Sequence, residues 1–153
     1  MIFKRFVAVI FIIFVFSGTS MAQMERFGLG IMLGEPTGIN AKYFIDKNNG
    51  LDAAVGWSLG GDNDFHLHGD YLYHIYSLFH VEDAELPVYL GLGGRLLFRD
   101  DKDNKAGVRF PLGLDYIFTG APFDIFAEVV SILDLAPDID FDLEGAIGAR
   151  FYF

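Results

Sequence analysis

Hydrophobic and polar residues alternate along most of this chain with a period of two, most clearly in the last thirteen residues. Side chains of a β-strand point alternately to opposite faces, so this segment predicts a strand with one apolar face and one charged or small face. The apolar set is Phe141, Leu143, Gly145, Ile147, Ala149, Phe151 and Phe153, and the other set is Asp142, Glu144, Ala146, Gly148, Arg150 and Tyr152.

The same alternation recurs between clusters of turn residues and predicts eight strands. They are Arg26–Gly34, Ile39–Ile45, Leu51–Leu59, Phe65–His74, Pro87–Arg99, Gly107–Phe118, Phe123–Leu135 and Phe141–Phe153. Beyond the N-terminal segment, no stretch reaches the roughly 18 consecutive apolar residues of a membrane-spanning helix. The pattern therefore predicts an all-β protein.

Charged residues share one face of nearly every predicted strand, and apolar residues share the other. Only closed barrels and helices can span lipid, because every backbone amide there must be paired. The alternation therefore predicts an eight-stranded antiparallel up-and-down transmembrane β-barrel with lipid outside and charges inside. Arg99 is also expected to point inward. The expected ion-pair network of the interior consists of Lys42, Asp52, Asp70, Arg95, Arg109, Asp115, Asp124, Glu128, Asp142, Glu144 and Arg150.

Aromatic residues collect near the two ends of the predicted strands. Interface-seeking rings form such girdles at both surfaces of a membrane. If both termini lie in the periplasm, one girdle is periplasmic and the other faces outward. The girdle is predicted to include Tyr43, Trp57, Tyr71, Tyr73, Phe98, Phe118, Phe123 and Phe141.

The N-terminus has the pattern of a secretory signal peptide. Lys4 and Arg5 precede the apolar run 6–16, and small residues flank a cleavage point after Ala22. The apolar core is too short for a spanning helix. We expect residues 1–22 to be a cleaved signal peptide, residues 23–153 to be one barrel domain, and the protein to reach the outer membrane of a Gram-negative cell envelope.

Composition narrows the possible partners. The net charge is −10 and there is no cysteine. Nucleic-acid binding needs a basic surface, so this acidity argues against a nucleic-acid partner. The absence of cysteine excludes disulfides, thiolate metal sites and a lipid-modified cysteine. Any membrane attachment of the mature protein must therefore come from its fold.

The signal peptide, the eight alternating strands and the ending Arg150-Phe151-Tyr152-Phe153 together resemble the small outer-membrane barrels of the OmpA transmembrane-domain and OmpX type. The segments 90–95 and 107–113 also resemble a subgroup of bacterial barrels that has no assigned activity. The family resemblance implies that Phe151 and Phe153 are the C-terminal signal read by the barrel-assembly machinery. The predicted outward loops are shorter than in OmpX-type proteins, and the longest connection, Ile75–Leu86, falls on the periplasmic side.

His66, His68 and Asp70 lie on one face of one strand, a spacing that can bind a transition metal. The interpretation adopted is hydrogen bonding inside the barrel, with no metal and no cofactor. Barrel-embedded hydrolases need a serine beside the histidine and a site open to lipid, whereas these side chains point inward. No enzymatic activity is expected.

The loops at the outward rim are rich in acidic residues, which could bridge to lipopolysaccharide through divalent cations. They include Glu35, Asp62, Asp64, Asp100, Asp101, Asp103, Asp138 and Asp140. The expected role is structural or surface interaction by a monomer. Two alternatives stay open: a narrow ion or small-solute channel, and a secreted lipocalin-like barrel that holds a ligand in an apolar interior.

Overall fold

The computed structural model describes residues 26–58, 64–100 and 102–153. These ranges form eight long β-strands and one short strand, and within them no helix is long and apolar enough to cross a membrane. The strands are β1 (Phe27–Gly34), β2 (Thr37–Phe44), β3 (Asn49–Trp57), β4 (Phe65–Ile75), β5 (Ala84–Glu85), β6 (Val88–Phe98), β7 (Lys105–Phe118), β8 (Phe123–Ala136) and β9 (Asp140–Tyr152).

The eight long strands form one closed antiparallel barrel. Each long strand pairs with the next along the chain, and β9 returns to pair with β1 through partners such as Leu29 with Phe151 and Ile31 with Ala149. Closure leaves no free sheet edge around most of the cylinder. The predicted eight-stranded all-β fold is confirmed.

The two ends of the barrel differ. The terminus end carries Phe27, Phe153 and the connections after β2, β4 and β7, and the loop end carries the connections after β1, β3, β6 and β8. At the terminus end, the side chain of Asn49 and the backbone N–H groups of Asn49 and Asn48 donate to Asp46 Oδ1. These hydrogen bonds hold the pKa of Asp46 below its ordinary value and stabilise the β2–β3 turn.

The structure adds one element that the pattern missed. Strand β5 lies inside the predicted Ile75–Leu86 connection and pairs with β7 through Ala84 with Phe118 and Glu85 with Ile117. Two residues are too short for an alternating pattern to be recognised, which explains the omission. The predicted signal peptide 1–22, Leu59, Asp62 and Asp101 lie outside the described residues.

The apolar set of each strand faces outward and the charged set faces the barrel axis. Leu112 and Ile147 are 57% and 59% exposed, whereas Arg109 and Arg150 are 1% and 2% exposed. An eight-stranded cylinder is just wide enough for side chains to fill it. Large interior side chains therefore need small neighbours on the adjacent strand.

Interior glycines provide that space. A Cβ atom added to Gly113 would lie 2.2 Å from Cζ of Tyr89, and one added to Gly93 would lie 1.9 Å from Oδ1 of Asp70. A Cβ atom added to Gly91 would lie 2.3 Å from the Tyr71 carbonyl oxygen, 2.7 Å from Cδ2 of Leu72 and 3.1 Å from Cγ of Pro111. The β6–β7 ladder is interrupted opposite Gly91 at Pro111, which has no N–H to donate. The tyrosine, the aspartate and the proline ring therefore occupy volume that these three glycines leave free.

We expect Gly113→Ala to lower the free energy of unfolding by about 1–3 kcal/mol, because the new methyl group displaces the Tyr89 ring. Gly94 lies on the exterior of the neighbouring strand, and its nearest neighbour to an added Cβ is 3.6 Å away. Gly94→Ala should leave stability unchanged or raise it by up to about 1 kcal/mol. Urea unfolding followed by the fluorescence of Trp57 measures both; equal effects would contradict this account of the packing.

Candidate functional site

Charged side chains fill the barrel interior in place of an apolar core. Among the described residues, the buried charged groups are four cations and six carboxylates, accompanied by three imidazoles. Isolated charges are costly at low dielectric, so their pairing determines whether this interior is stable. The buried groups are Lys42, Asp52, His66, His68, Asp70, His74, Arg95, Arg109, Asp115, Asp124, Glu128, Asp134 and Arg150.

The layer nearest the terminus end, which we call the terminus-end cluster, consists of Lys42, Asp115, Asp124 and Arg150. Arg150 Nη2 donates to Asp115 Oδ1 at 2.9 Å, and Arg150 Nε donates to Asp124 Oδ1 at 2.9 Å. Lys42 Nζ donates to Asp115 Oδ2. The two cations and two carboxylates of this layer balance one another.

Neutral groups complete the terminus-end cluster. The Tyr152 hydroxyl donates to Asp124 Oδ2 at 2.7 Å, and Arg150 Nη1 donates to the side-chain oxygen of Asn40 at 3.0 Å. The Arg150 guanidinium also lies 4.1 Å from the centroid of the Phe126 ring. All three nitrogens of the Arg150 guanidinium therefore donate hydrogen bonds, as a buried arginine requires.

The middle of the barrel is organised around Arg109. Its Nε donates to Asp70 Oδ1 at 3.0 Å, while Nη2 lies 3.8 Å from Glu128 Oε1. The Tyr89 hydroxyl donates to Glu128 Oε2 at 2.9 Å. Asp52 belongs to this layer but takes no ion pair from it. Lys42 faces Asp52 in the β2–β3 register, yet its ammonium group reaches Asp115 instead.

The layer at the loop end is organised around Arg95. Arg95 donates twice to Asp134, at 3.0 and 2.6 Å, and once to Glu144 at 2.6 Å. Asp142 Oδ2 lies 3.4 Å from Arg95 Nη2, and the side chain of Asp142 is 46% exposed. Lys105 Nζ lies 3.8 Å from Asp134 Oδ2. Carboxylates therefore outnumber close cations here, in contrast to the terminus-end cluster.

All eleven side chains of the predicted network face the interior or its mouth, and most of them meet in these three layers. Arg99 is different, because it follows the end of β6 and its Nε donates to the Asp103 carbonyl at 2.9 Å. The predicted network does not include five interior residues that the structure adds to it: Asp134, Tyr89, Tyr152, Asn40 and His74. Each of the five belongs to the inward set of its strand, so the alternation of the sequence indicates its position. The prediction considers carboxylates and cations only, which explains the absence of the four uncharged or imidazole side chains. Asp134 fits the same pattern and is the one carboxylate that the prediction leaves out.

The predicted girdle residues lie at the two ends of the barrel. At the loop end the rings of Trp57, Phe65 and Phe98 form a chain with centroid separations of 5.9 and 6.0 Å. At the terminus end the Phe123 and Phe151 rings lie 5.1 Å apart, and Phe151 and Phe153 lie 5.0 Å apart. The others of the set, Tyr43, Tyr71, Tyr73 and Phe141, are exposed, and Phe118 packs against Tyr116 at 4.9 Å.

The candidate metal ligands lie in the middle layer. His68 Nδ1 is 3.2 Å from His66 Nε2, and His68 Nε2 is 3.9 Å from Asp70 Oδ2. The ligand atoms that lie within 4.8 Å of one another belong to Asp52, His68 and Asp70. The structure thus replaces His66 by Asp52 in the compact group, because β3 and β4 set Asp52 directly opposite Asp70.

The fold is similar to the N-terminal β-barrel domain of Pseudomonas aeruginosa OprF, with a TM-score of 0.63 and 18% sequence identity. The match covers 84% of this chain and 96% of that domain. No family model matches the sequence, and neither does any curated protein. The resemblance to small eight-stranded barrels is thereby confirmed at the level of the fold, and the more specific subgroup stays a prediction.

We expect Arg150→Met to lower the free energy of unfolding by about 3–5 kcal/mol, because the change leaves buried carboxylates without their cation. Arg99→Met is the matched control: its arginine lies at the loop end, and its loss should cost less than about 1 kcal/mol. Urea denaturation of both variants checks this. Equal losses would mean that Arg150 contributes no more than a surface arginine.

Proposed function

We propose that this protein is an integral outer-membrane β-barrel with a structural or surface-interaction role, its interior closed by ion pairs. The observation that carries the proposal is the polarity of the two faces. The exterior of a closed barrel presents leucine, isoleucine, valine and phenylalanine, while arginine, lysine and carboxylates are buried inside. This is the reverse of a water-soluble protein and suits a cylinder surrounded by hydrocarbon.

The exposed rings support a membrane position. Aromatic chains at both ends of the barrel bracket an aliphatic belt that includes Leu90, Leu112, Val129 and Ile147. Rings of this kind favour the headgroup regions of a bilayer, with aliphatic side chains between them. Outer-membrane lipid is therefore the proposed partner of the whole exterior.

The C-terminus supports the proposed contact with the barrel-assembly machinery during biogenesis. Phe153 N–H donates to the Phe27 carbonyl at 2.8 Å, so the last residue joins the seam between β9 and β1. Phe151 is exposed on the outer face. An assembly factor could therefore read these rings before β9 pairs with β1 and the barrel closes.

The acidic loop end supports the proposed bridge to lipopolysaccharide through divalent cations. Among the described loop residues, carboxylates at Glu35, Asp64, Asp100, Asp103 and Asp138 outnumber the amines of Lys102 and Lys105. Phosphates of the lipid and carboxylates of the protein repel one another unless cations lie between them.

The alternatives differ in what they require of the interior. A lipocalin-like carrier needs an apolar cavity, whereas this interior is lined by paired charges. A channel needs a continuous path, whereas Arg109, Arg150 and Tyr89 project into the narrow lumen and are held there by hydrogen bonds. The packed interior therefore favours the structural role.

Cell fractionation of the expressed full-length chain tests the location. The protein should be recovered with outer membranes and should migrate anomalously on electrophoresis until boiled, because a folded barrel resists detergent. Reconstitution in planar bilayers tests transport, and no conductance steps are expected. Recovery in the soluble periplasm would select the carrier, and stable conductance steps would select the channel.

A charged side chain introduced on the exterior tests whether the barrel is surrounded by lipid or by water. We expect Leu112→Arg, near the middle of β7, to lower the free energy of unfolding by about 2–4 kcal/mol when the barrel is folded in bilayers. The control is Ile139→Arg in the β8–β9 connection, where the side chain is 77% exposed. It should change stability by less than about 0.5 kcal/mol.

For a water-soluble barrel both exterior substitutions would be neutral, because arginine is readily accommodated at exposed positions. Urea titration in phosphatidylcholine vesicles measures the difference. A neutral Leu112→Arg would contradict the membrane proposal.

A further inference from the structure

Asp52, His68 and Asp70 form a compact group in the middle of the barrel, in which Arg109 Nε donates to both oxygens of Asp70 at 3.0 and 3.2 Å, while Asp52 has no ion pair with a cation of the described residues. We propose that this group is a buried binding site for one divalent transition-metal ion of the zinc type. One ligand atom from each residue lies within 4.8 Å of the others. The three residues come from the adjacent strands β3 and β4, whose pairing sets Asp52 opposite Asp70 and Ala54 opposite His68.

Two atoms of the group are buried without a hydrogen-bond partner. Asp52 Oδ1 and His68 Nε2 accept or donate no hydrogen bond within the described residues, although Asp52 is only 7% exposed and His68 only 3% exposed. Leaving a buried polar atom unpaired is destabilising, and more so when the atom is charged. Both residues supply ligand atoms within 4.8 Å of one another, and an ion bound between them would give both a partner.

The histidine pair explains why His68 Nε2 needs a ligand. His68 Nδ1 is hydrogen-bonded to His66 Nε2 at 3.2 Å. If His68 donates this bond, its Nε2 carries a lone pair that faces two carboxylates, which is repulsive. If His66 donates it, His68 Nε2 carries a proton, but this nitrogen lies 3.9 Å from Asp70 Oδ2, too far for a hydrogen bond. A metal ion removes the conflict in the first tautomer.

The charge distribution of the interior also indicates a missing cation in the middle layer. The terminus-end cluster is balanced, with Lys42 and Arg150 against Asp115 and Asp124. In the middle layer, Arg109 alone meets Asp70 and approaches Glu128. Asp52 is the buried carboxylate of the described residues that has no ion pair. The middle layer therefore holds surplus negative charge, which either a proton or a cation must neutralise.

The ligand types favour a cation over a proton. A proton shared by Asp52 and Asp70 would neutralise the carboxylates but would leave His68 Nε2 unpartnered. One metal ion satisfies all three groups at once. An imidazole nitrogen with two carboxylate oxygens suits zinc and its neighbours, because the imidazole favours transition metals over magnesium or calcium. Ligand atoms up to 4.8 Å apart would draw together on binding, because zinc holds nitrogen and oxygen ligands at about 2.0–2.2 Å.

His66 connects this site to the loop end. It lines a cavity of about 200 Å³ at the mouth of the barrel, together with four carboxylates and three basic side chains. On its inner side it contacts His68. Hydrogen bonds from outer residues commonly orient a histidine ligand. His66 would thus hold the ring of His68 in place and lie on the route by which an ion enters.

The test uses the full-length protein folded in phosphatidylcholine vesicles and freed of metal with chelator. Calorimetric titration with ZnCl₂ should give one bound ion per chain, and CoCl₂ should produce visible absorption bands of a coordinated ion. X-ray absorption of the zinc form should show imidazole scattering with oxygen ligands. The absence of binding, or a spectrum without imidazole, would overturn the proposal and leave the shared proton as the explanation.

Variants locate the site. His68→Asn and Asp52→Asn should each weaken zinc binding at least tenfold, and both should retain heat-modifiable migration. His74→Asn is the matched control, because His74 is an equally buried imidazole that contacts Asn48 and Asp115 instead. Unchanged affinity in the first two variants, or equal loss in the control, would place the ion elsewhere, such as the acidic loop end.

Discussion

Burial of charge inside a closed, narrow cylinder is the constraint on which this structure depends. Closure pairs the backbone groups of the strands, and the interior that it creates has room for side chains only. Every arginine placed there needs carboxylates and hydroxyls at fixed positions, as Arg150 has with Asp115 and Asp124. The glycines of the adjacent strands are part of the same arrangement, because they leave the volume that Tyr89 and Asp70 occupy.

The interior is not uniform along its axis. The charges of the terminus-end cluster balance and are joined by hydrogen bonds, which suits a rigid plug. Towards the loop end carboxylates exceed cations. Buried atoms without a hydrogen bond occur there at Asp52, His68, Glu144 and two nitrogens of Arg109, and one more occurs at His74 beside the terminus-end cluster. A barrel that needed charges only for packing would gain nothing from this asymmetry, since unpaired buried groups are destabilising. The surplus of carboxylates therefore indicates that the middle and loop-end layers bind a cation that the chain itself does not supply.

The exterior follows from the same alternation that fills the interior. With a period of two, each charge turned inward places an apolar neighbour outward, so one register error would exchange the faces of a whole strand. The β6–β7 ladder keeps its register across the interruption at Pro111, which keeps Arg109 inside and Leu112 outside. The proposed membrane role and the proposed metal site thus rest on one register, although each can fail independently of the other.

The sequence by itself determined the eight strands, the face of each side chain and the collection of aromatic residues at strand ends, because alternation and turn chemistry are local properties of the chain. It did not reveal the two-residue β5. Only the tertiary structure decided which charges meet, because pairs such as Arg109–Asp70 join strands that are not neighbours in the sheet: Asp70 of β4 and Arg109 of β7 meet over Gly93 of the intervening β6. Lys42 shows the difference: its register neighbour is Asp52, yet its long side chain crosses the interior to Asp115. Because Lys42 pairs with Asp115, Asp52 has no cation in the part of the chain that the structure describes. This outcome depends on the curvature of the barrel and the length of the lysine side chain, which the alternation of the sequence does not show.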